Sequence, residues 1–469
     1  MNELSRRDCF SWSVRGLGVV AFAHLLSRDA SGAMPKPHFA AKAKRVVHIS
    51  LIGGLSHLDS FDYKPTLKKF HGKPLPSKEI PDIFFGQVGL LRQPDWAFKP
   101  RGKSGLMISD LFPHIAEMAD ELTIIRSMTA DSANHTPALY VENSGFQFGG
   151  FPSAGSWVSY GLGSETEELP AYVILPDPRG LPNGGSSIWS SGFLPAEHQG
   201  VLFQTGTTPV RDLFPAVKRS AASEADSLEL LHAMNAQHQQ RSGDEGLLAA
   251  RMRSYELAAK MQLSVPSLVD LSKETAVTQS LYGLDQPQTA PFGRNCLLAR
   301  RLLERGVRFV QLFSGGPIAG NPRLSWDAHE NVKDNHTIEA GKIDQPVAGL
   351  LRDLKQRDML KDTLVLFTTE FGRTPFAQSG PQIVGPGRDH NKYGFSVWLA
   401  GAGLKPGTVF GATDEIGWKA AEHPVAWHDF HATMLHLLGL DHEKLTFYHN
   451  GIRRRLTNVH GEVVRGILA

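Results

Sequence analysis

Six short, almost uninterrupted apolar runs constrain this chain more than any other feature. They lie at 45–52 (RVVHISLI), 122–128, 171–175, 307–313, 363–368 and 395–400. A strand exposed on one face alternates apolar and polar residues. A strand buried on both faces needs apolar side chains at successive positions, as here. Segments of helical character stand between the runs: 224–262, 294–304 before Gly306, 338–357, and 428–438 before Gly439. Glycine just past the last helical residue is a favoured C-terminal cap. Strands alternating with helices predict an α/β fold, with a central, mostly parallel sheet covered by helices on both faces.

The 469 residues offer room for one large domain or two ordinary ones. No internal repeat and no clean linker follows residue 34, so one domain with insertions is expected over 34–469. The net charge of +2 provides no field for nucleic acid or a membrane surface. The leader reads differently. Ser5-Arg6-Arg7-Asp8-Cys9-Phe10 has the form of a twin-arginine box, the modestly apolar stretch 16–26 follows, and Ser31-Gly32-Ala33 offers small residues for cleavage. Residues 1–33 are therefore expected to be a twin-arginine signal peptide, directing the protein to the periplasm or beyond the cell. The alternative is an unstructured start with a chance arginine pair. Cleavage removes Cys9 and leaves Cys296 alone, so the mature chain forms no internal disulfide. No run of 18 apolar residues predicts a membrane span.

In a doubly wound sheet, functional residues collect where the strand C-terminal ends meet loops. Five clusters fall at expected strand ends or in nearby loops. Gly53-Gly54-Leu55-Ser56-His57-Leu58-Asp59 holds a candidate ligand in Asp59, or else a simple glycine and Asx turn. Asp131-Ser132-Ala133-Asn134-His135 places a hydroxyl at a strand-to-helix turn, near free backbone N–H groups. On spacing alone a plain helix cap explains Ser132 better, and His135 is then a surface histidine. Trp326-Asp327-Ala328-His329 sets a carboxylate and an imidazole two apart, a spacing that can chelate a cation from a loop; His336 and Asp344 follow. Thr369-Glu370-Phe371-Gly372-Arg373 ends an apolar strand in a carboxylate, costly to bury unless paired or metal-bound. A Glu370–Arg373 ion pair is the structural alternative. Gly387-Arg388-Asp389-His390 adds an imidazole and a guanidinium. The histidines at 428, 431 and 436 recur at helical spacing among apolar residues and read as packing.

The stretches WDAHENVKDNH, TEFGRTP, GRDHN, GATDEIGWKA and HDFHATMLHLLGLDHEKLTFYHNG, with GGLSHLDSFDYKP and the twin-arginine start, resemble domain-of-unknown-function family 1501, placed in the alkaline phosphatase superfamily. The resemblance spans nearly the whole mature chain. It implies an alkaline phosphatase-like α/β fold with two divalent cations; zinc, manganese, magnesium and calcium are not distinguished. Asp327, His329 and His390 resemble the ligands of one cation. Asp59 and Glu370 resemble two ligands of the other, and Ser132 the nucleophile. Arg373, Arg388 and His135 are the expected substrate-binding groups. The chain departs from the superfamily in three places: Gly53-Gly54 follow the first strand directly, Glu370-Phe371 replaces an Asp-His pair, and the 327–329 spacing is short. His135 or His57 is the candidate to replace the lost imidazole. Thr207-Thr208-Pro209-Val210-Arg211 lacks the Cys or Ser of a formylglycine motif, and no nucleophile elbow is present.

These readings imply an exported, metal-dependent hydrolase of phosphate or sulfate esters, acting on an anionic ester substrate. The alternative is a non-catalytic binding protein on the same fold, recognising an anionic polymer or a protein partner.

Overall fold

All six apolar runs fold as strands of a single nine-stranded sheet in the computed structural model. The structure describes residues 37–76, 82–204, 209–211, 213–214, 246–318 and 323–469, with scattered positions between 223 and 237. The leader 1–33, Thr207 and Thr208, and much of the stretch 224–245 lie outside the described residues. Residues 37–469 form one compact unit.

From one edge the strands run Thr408–Phe410, Leu122–Thr129, Phe395–Gly401, Thr363–Thr369, Arg45–Leu51, Phe309–Ser314, Tyr172–Leu175 and Val201–Leu202. Val425–Ala426 also pairs with Leu122–Thr129. Only Phe395–Gly401 runs antiparallel to its neighbours. The central strand Arg45–Leu51 is parallel to both of its partners and buried along six of its seven residues. Its successive side chains serve opposite cores, as a period of two requires. Val47, Ile49 and Leu51 pack with helices Ala290–Glu304 and Val332–Gln356. Val46 and Ile52 face helices His135–Ser144, Ala154–Leu162 and Trp427–Leu437. Helices therefore cover both faces, as the sequence predicts. The histidine-containing segment 428–438 is indeed a packed helix, and burial lowers the pKa of His431 to about 3.

Several elements escape sequence reading. Helix His135–Ser144 follows the strand-to-helix turn expected at 131–135, whereas helix Ala154–Leu162 and the short hairpins are additions. One of these, Gly372–Ala377 paired antiparallel with Arg388–Asn391, matters for function because it rises from the sheet directly after Glu370. Among the described residues no helix is long and apolar enough to cross a membrane.

Candidate metal centre

Four side chains from three separate segments meet where the parallel strands end. His135 opens the helix that follows strand Leu122–Thr129. Asp327 and His329 sit on the loop after strand Phe309–Ser314, and His390 lies on the hairpin strand before Phe395–Gly401. One ligand atom from each falls within 4.8 Å of all the others, and all four residues are buried. Asp327 Oδ1 is the hub. It lies 2.8 Å from His329 Nε2, 3.2 Å from His390 Nε2 and 3.5 Å from His135 Nε2.

The outer nitrogens explain why the inner ones converge. His390 Nδ1 meets the Ala133 carbonyl at 2.6 Å, His135 Nδ1 meets Glu370 Oε1 at 2.9 Å, and His329 Nδ1 meets Gln378 Oε1. Each partner is an oxygen acceptor. Each Nδ1 is thus a protonated nitrogen, and each Nε2 is turned inward, able to give a lone pair to a cation or, with a second proton, a hydrogen bond to Asp327. Acceptors behind metal-binding histidines fix the tautomer and ring direction in this way. His135 Nε2 is buried without a hydrogen bond. Three inward lone pairs around a carboxylate form a donor set suited to a borderline divalent cation such as zinc or manganese.

Backbone packing makes this convergence possible. Gly53 has φ +119°, and a Cβ there would collide with the backbone of Trp326 and Asp327. The glycine lets the first strand's exit loop press against the Asp327 loop, with Trp326 N–H donating to Ile52 O at 2.7 Å. Gly53 N–H also donates to Glu370 Oε1 at 2.7 Å. Gly387 plays a similar part, because a Cβ there would strike the His329 carbonyl.

Electrostatics follow from these contacts. Burial opposes ionisation of Asp327, but Arg373 at 2.7 Å and the three imidazoles overcome it and hold the carboxyl far below its usual range. Burial also opposes charge on His135, yet Asp327 and Glu370 raise its pKa. Burial depresses His390, and Arg373 adds to the effect. Burial raises Glu370 despite the nearby His135.

The structure brings Asp327, His329 and His390 together. It also moves several expected roles. His135, expected beside the substrate, lies within the cluster. Glu370, expected as a direct ligand, touches the cluster through His135; its Oε2 is buried without a partner. Asp59 is elsewhere. The turn after Gly54 and the short helix His57–Asp59 aim it at Arg388 Nε, 3.1 Å away, with Ser56 Oγ at 2.5 Å and Asp95 N–H at 2.8 Å. Both of its oxygens are thus occupied by donors.

Arg373 and Arg388, expected to bind substrate, are both fully buried. Arg373 donates to Gly54 O and Arg388 O and pairs with Asp327, not with Glu370. Arg388 donates to Thr374 O and Arg92 O and pairs with Asp59. Their forks bind backbone carbonyls within the fold, so they serve as internal braces. Ser132 is half-buried at the rim, where its hydroxyl accepts from Asn134 N–H at 3.0 Å. His57 reaches Gly417 O and His336 accepts from Ser56 N–H, so neither joins the cluster. Asp344 accepts from His114 and Ile115 N–H groups, and burial raises its pKa to about 6.

Sequence reasoning missed Gln378, Arg323, Phe84 and Phe85. Arg323 pairs with Asp327 and with Glu330. The two phenylalanines pack against His390 and His329. A doublet of aromatics directly before Gly86 was the available signal for them; Gln378 had none.

Solved structures similar to this chain include the sulfatase PsFucS1 from Pseudoalteromonas sp., at 14% identity and TM-score 0.35, covering 87% of this chain and 70% of that one. A phosphonate monoester hydrolase from Silicibacter pomeroyi has 12% identity and TM-score 0.36, with coverage of 76% and 71%. A TAB5 alkaline phosphatase mutant with bound magnesium has 10% identity and TM-score 0.34, with coverage of 87% and 99%. Such scores transfer neither residues nor chemistry. No curated protein matches the sequence. Residues 43–468 match the family described as "Protein of unknown function (DUF1501)". That match takes in almost all of the described unit, and the chain belongs to the DUF1501 family.

Proposed function

We propose that this protein is an exported, metal-dependent hydrolase of phosphate or sulfate esters, working at the His135, Asp327, His329 and His390 cluster. The observation that carries the proposal is the inward convergence of three Nε2 atoms on one carboxylate, with every Nδ1 already engaged. His135, Asp327, His329 and His390 would hold a divalent cation there, which would supply Lewis-acid stabilisation of the negative charge that develops during transfer. The protein's own residues do the rest. Arg373 fixes the Asp327 carboxylate, Glu370 orients His135, and the Ala133 carbonyl orients His390.

Ser132 is the proposed nucleophile. It precedes the residue whose carbonyl holds His390, and its half-exposed hydroxyl, which accepts from Asn134 N–H at 3.0 Å, gives its own proton only a long contact to Asn134 O at 3.5 Å. A second ion, if taken up, has the unpartnered Glu370 Oε2 available. Export rests on the leader's arginine pair, apolar stretch and small-residue site.

The test combines ion counting with turnover. The purified chain is expected to bind one or two equivalents of zinc or manganese and to hydrolyse p-nitrophenyl phosphate or sulfate. Ser132→Ala is expected to lower turnover about a thousandfold while leaving ion stoichiometry unchanged. A folded chain that takes up no divalent cation overturns the proposal. Ion uptake without turnover of either ester leaves the binding-protein reading in its place.

A further inference from the structure

We propose that Phe84 and Phe85 form an aromatic platform at the ion cluster, selecting esters whose anionic group is borne on a ring, aryl or sugar, over esters of small acyclic alcohols. This deepens the hydrolase reading above and rests on it. Phe84 stacks on His390 with ring centroids 4.9 Å apart and planes at 30°. Phe85 meets His329 edge-on at 4.8 Å, and the two phenylalanines meet each other edge-to-face at 4.9 Å. Yet 46% of Phe84 and 51% of Phe85 remain exposed to solvent. Two adjacent half-exposed rings against a buried polar centre form an apolar surface beside the cluster that a ligand can cover.

The rings are held in place. Phe85 N–H donates to Asp389 Oδ2 at 2.8 Å. Asp82 accepts from Tyr393 OH at 2.9 Å and lies 3.6 Å from Lys392 Nζ. Ile83 packs against the small core of Leu58, Leu67, Leu91, Phe376 and Trp418. Each polar tie runs to a residue within three of His390, so platform and ligand share one support. A surface fixed this way presents its faces at little entropic cost on binding.

Charge points in the same direction. Arg373 and Arg388 are spent internally, and Arg323 is engaged by Asp327 and Glu330. The phenylalanine side of the centre therefore offers ring faces to the alcohol part of an ester. A flat aryl ring stacks on such a face, and a sugar ring lays its axial C–H groups against it. A two-carbon alcohol reaches neither.

The experiment uses the full metal-loaded chain with cyclohexyl and ethyl phosphates and their sulfate counterparts, whose alcohols leave with similar difficulty. The wild type is expected to favour cyclohexyl over ethyl at least about tenfold in kcat/KM. Phe84→Ala and Phe85→Ala are expected to reduce that ratio about tenfold, mainly through KM. Phe84→Leu, apolar but not flat, is expected to reduce it as well. Rings that only shield the histidines would weaken ion binding and slow both esters alike. A ratio unchanged in variants that load metal normally overturns the platform. Calorimetric binding of phenylphosphonate and methylphosphonate reads the same preference without turnover. If no ester is hydrolysed but the phenyl compound binds more tightly and loses that advantage in the variants, the hydrolase reading fails and the platform stands. Equal affinity for the two phosphonates in the wild type overturns the platform whatever the enzyme does.

Discussion

His329 and His390 face each other Nε2 to Nε2 at 2.9 Å, each with its Nδ1 already set against an oxygen acceptor. Two neutral imidazoles in that tautomer bring lone pair against lone pair, which repel without a positive charge between them. Burial keeps His390 from supplying that charge as an imidazolium. A divalent cation resolves the conflict, and it also takes up the unpartnered His135 Nε2. His390→Ala is therefore expected to weaken zinc or manganese binding by at least about a hundredfold. Calorimetric titration checks this, and equal affinity in wild type and variant refutes it.

Glu370 acts on the cluster at one remove, through His135 Nδ1 at 2.9 Å. Glu370→Gln keeps the shape but removes the negative charge that makes His135 a better donor. Ion affinity is expected to fall about 10- to 100-fold, the usual effect of losing an outer carboxylate partner. Thermal unfolding of the metal-free chain should change far less, because burial opposes the Glu370 charge and offsets most of what its contact with His135 contributes to folding. Titration and calorimetry on one preparation separate the two effects. A variant that binds ion as tightly as wild type contradicts the assignment.

The sheet was legible because its strands are nearly all apolar, and little else can bury such runs. Even so, the boundaries moved by a residue or two, as with Phe309–Ser314 for the run at 307–313. The cluster was partly legible. Asp327 and His329 share a loop, and His390 lies near a strand start, so rim placement followed from topology. Asp59 was misplaced because sequence does not show which way a chain leaves a Gly-Gly turn. Gly53 is there for the close approach of the Asp327 loop, and the chain carries Asp59 on to Arg388. The arginines were misread for a related reason. A guanidinium beside a carboxylate looks the same in sequence whether it faces a ligand or the backbone carbonyls of an internal hairpin.

Asp59 and Arg388, 329 residues apart, form an ion pair with both side chains fully buried. Burial lowers the Arg388 pKa to about 10 and favours a neutral Asp59, but Arg388, Arg92 and the hydrogen bonds bring the Asp59 pKa below the ordinary carboxylate value. Removing one partner leaves the other charge uncompensated. Asp59→Asn is expected to cost about 3–5 kcal/mol at neutral pH. A carboxylate lowered by folding stabilises above its unfolded pKa and loses that contribution as pH falls through the folded value. The gap between wild type and variant should therefore narrow below pH 3.8. Urea unfolding across pH checks both points. The double variant Asp59→Leu, Arg388→Met should be less destabilised than the sum of its single changes. A gap that widens in acid contradicts the pair's role.

The export proposed above rests on two adjacent arginines near the start of the sequence. Twin-arginine translocation reads that pair directly, so Arg6→Lys with Arg7→Lys is expected to retain the full-length chain in the cytoplasm. Cell fractionation with an antibody to the chain measures it. Undiminished export of the double variant rules out this route.

Ion uptake should also depend on pH, through His135. Asp327 and Glu370 outweigh burial and raise its pKa, which favours a proton on the metal-free centre. That proton offsets the crowding of the other acceptors. A histidine raised by folding stabilises fully below its unfolded pKa, and the benefit is lost as pH rises through the folded value. The metal-free protein should therefore lose stability on the alkaline side. A bound cation replaces the proton, so apparent affinity should rise with pH, with about one proton released per ion while His135 is still protonated. The gain in Tm on adding zinc or manganese should accordingly grow with rising pH. His135→Gln, with no proton to displace, should flatten that dependence. A gain in Tm that shrinks with rising pH would mean that the cation competes with no proton at His135 and binds elsewhere.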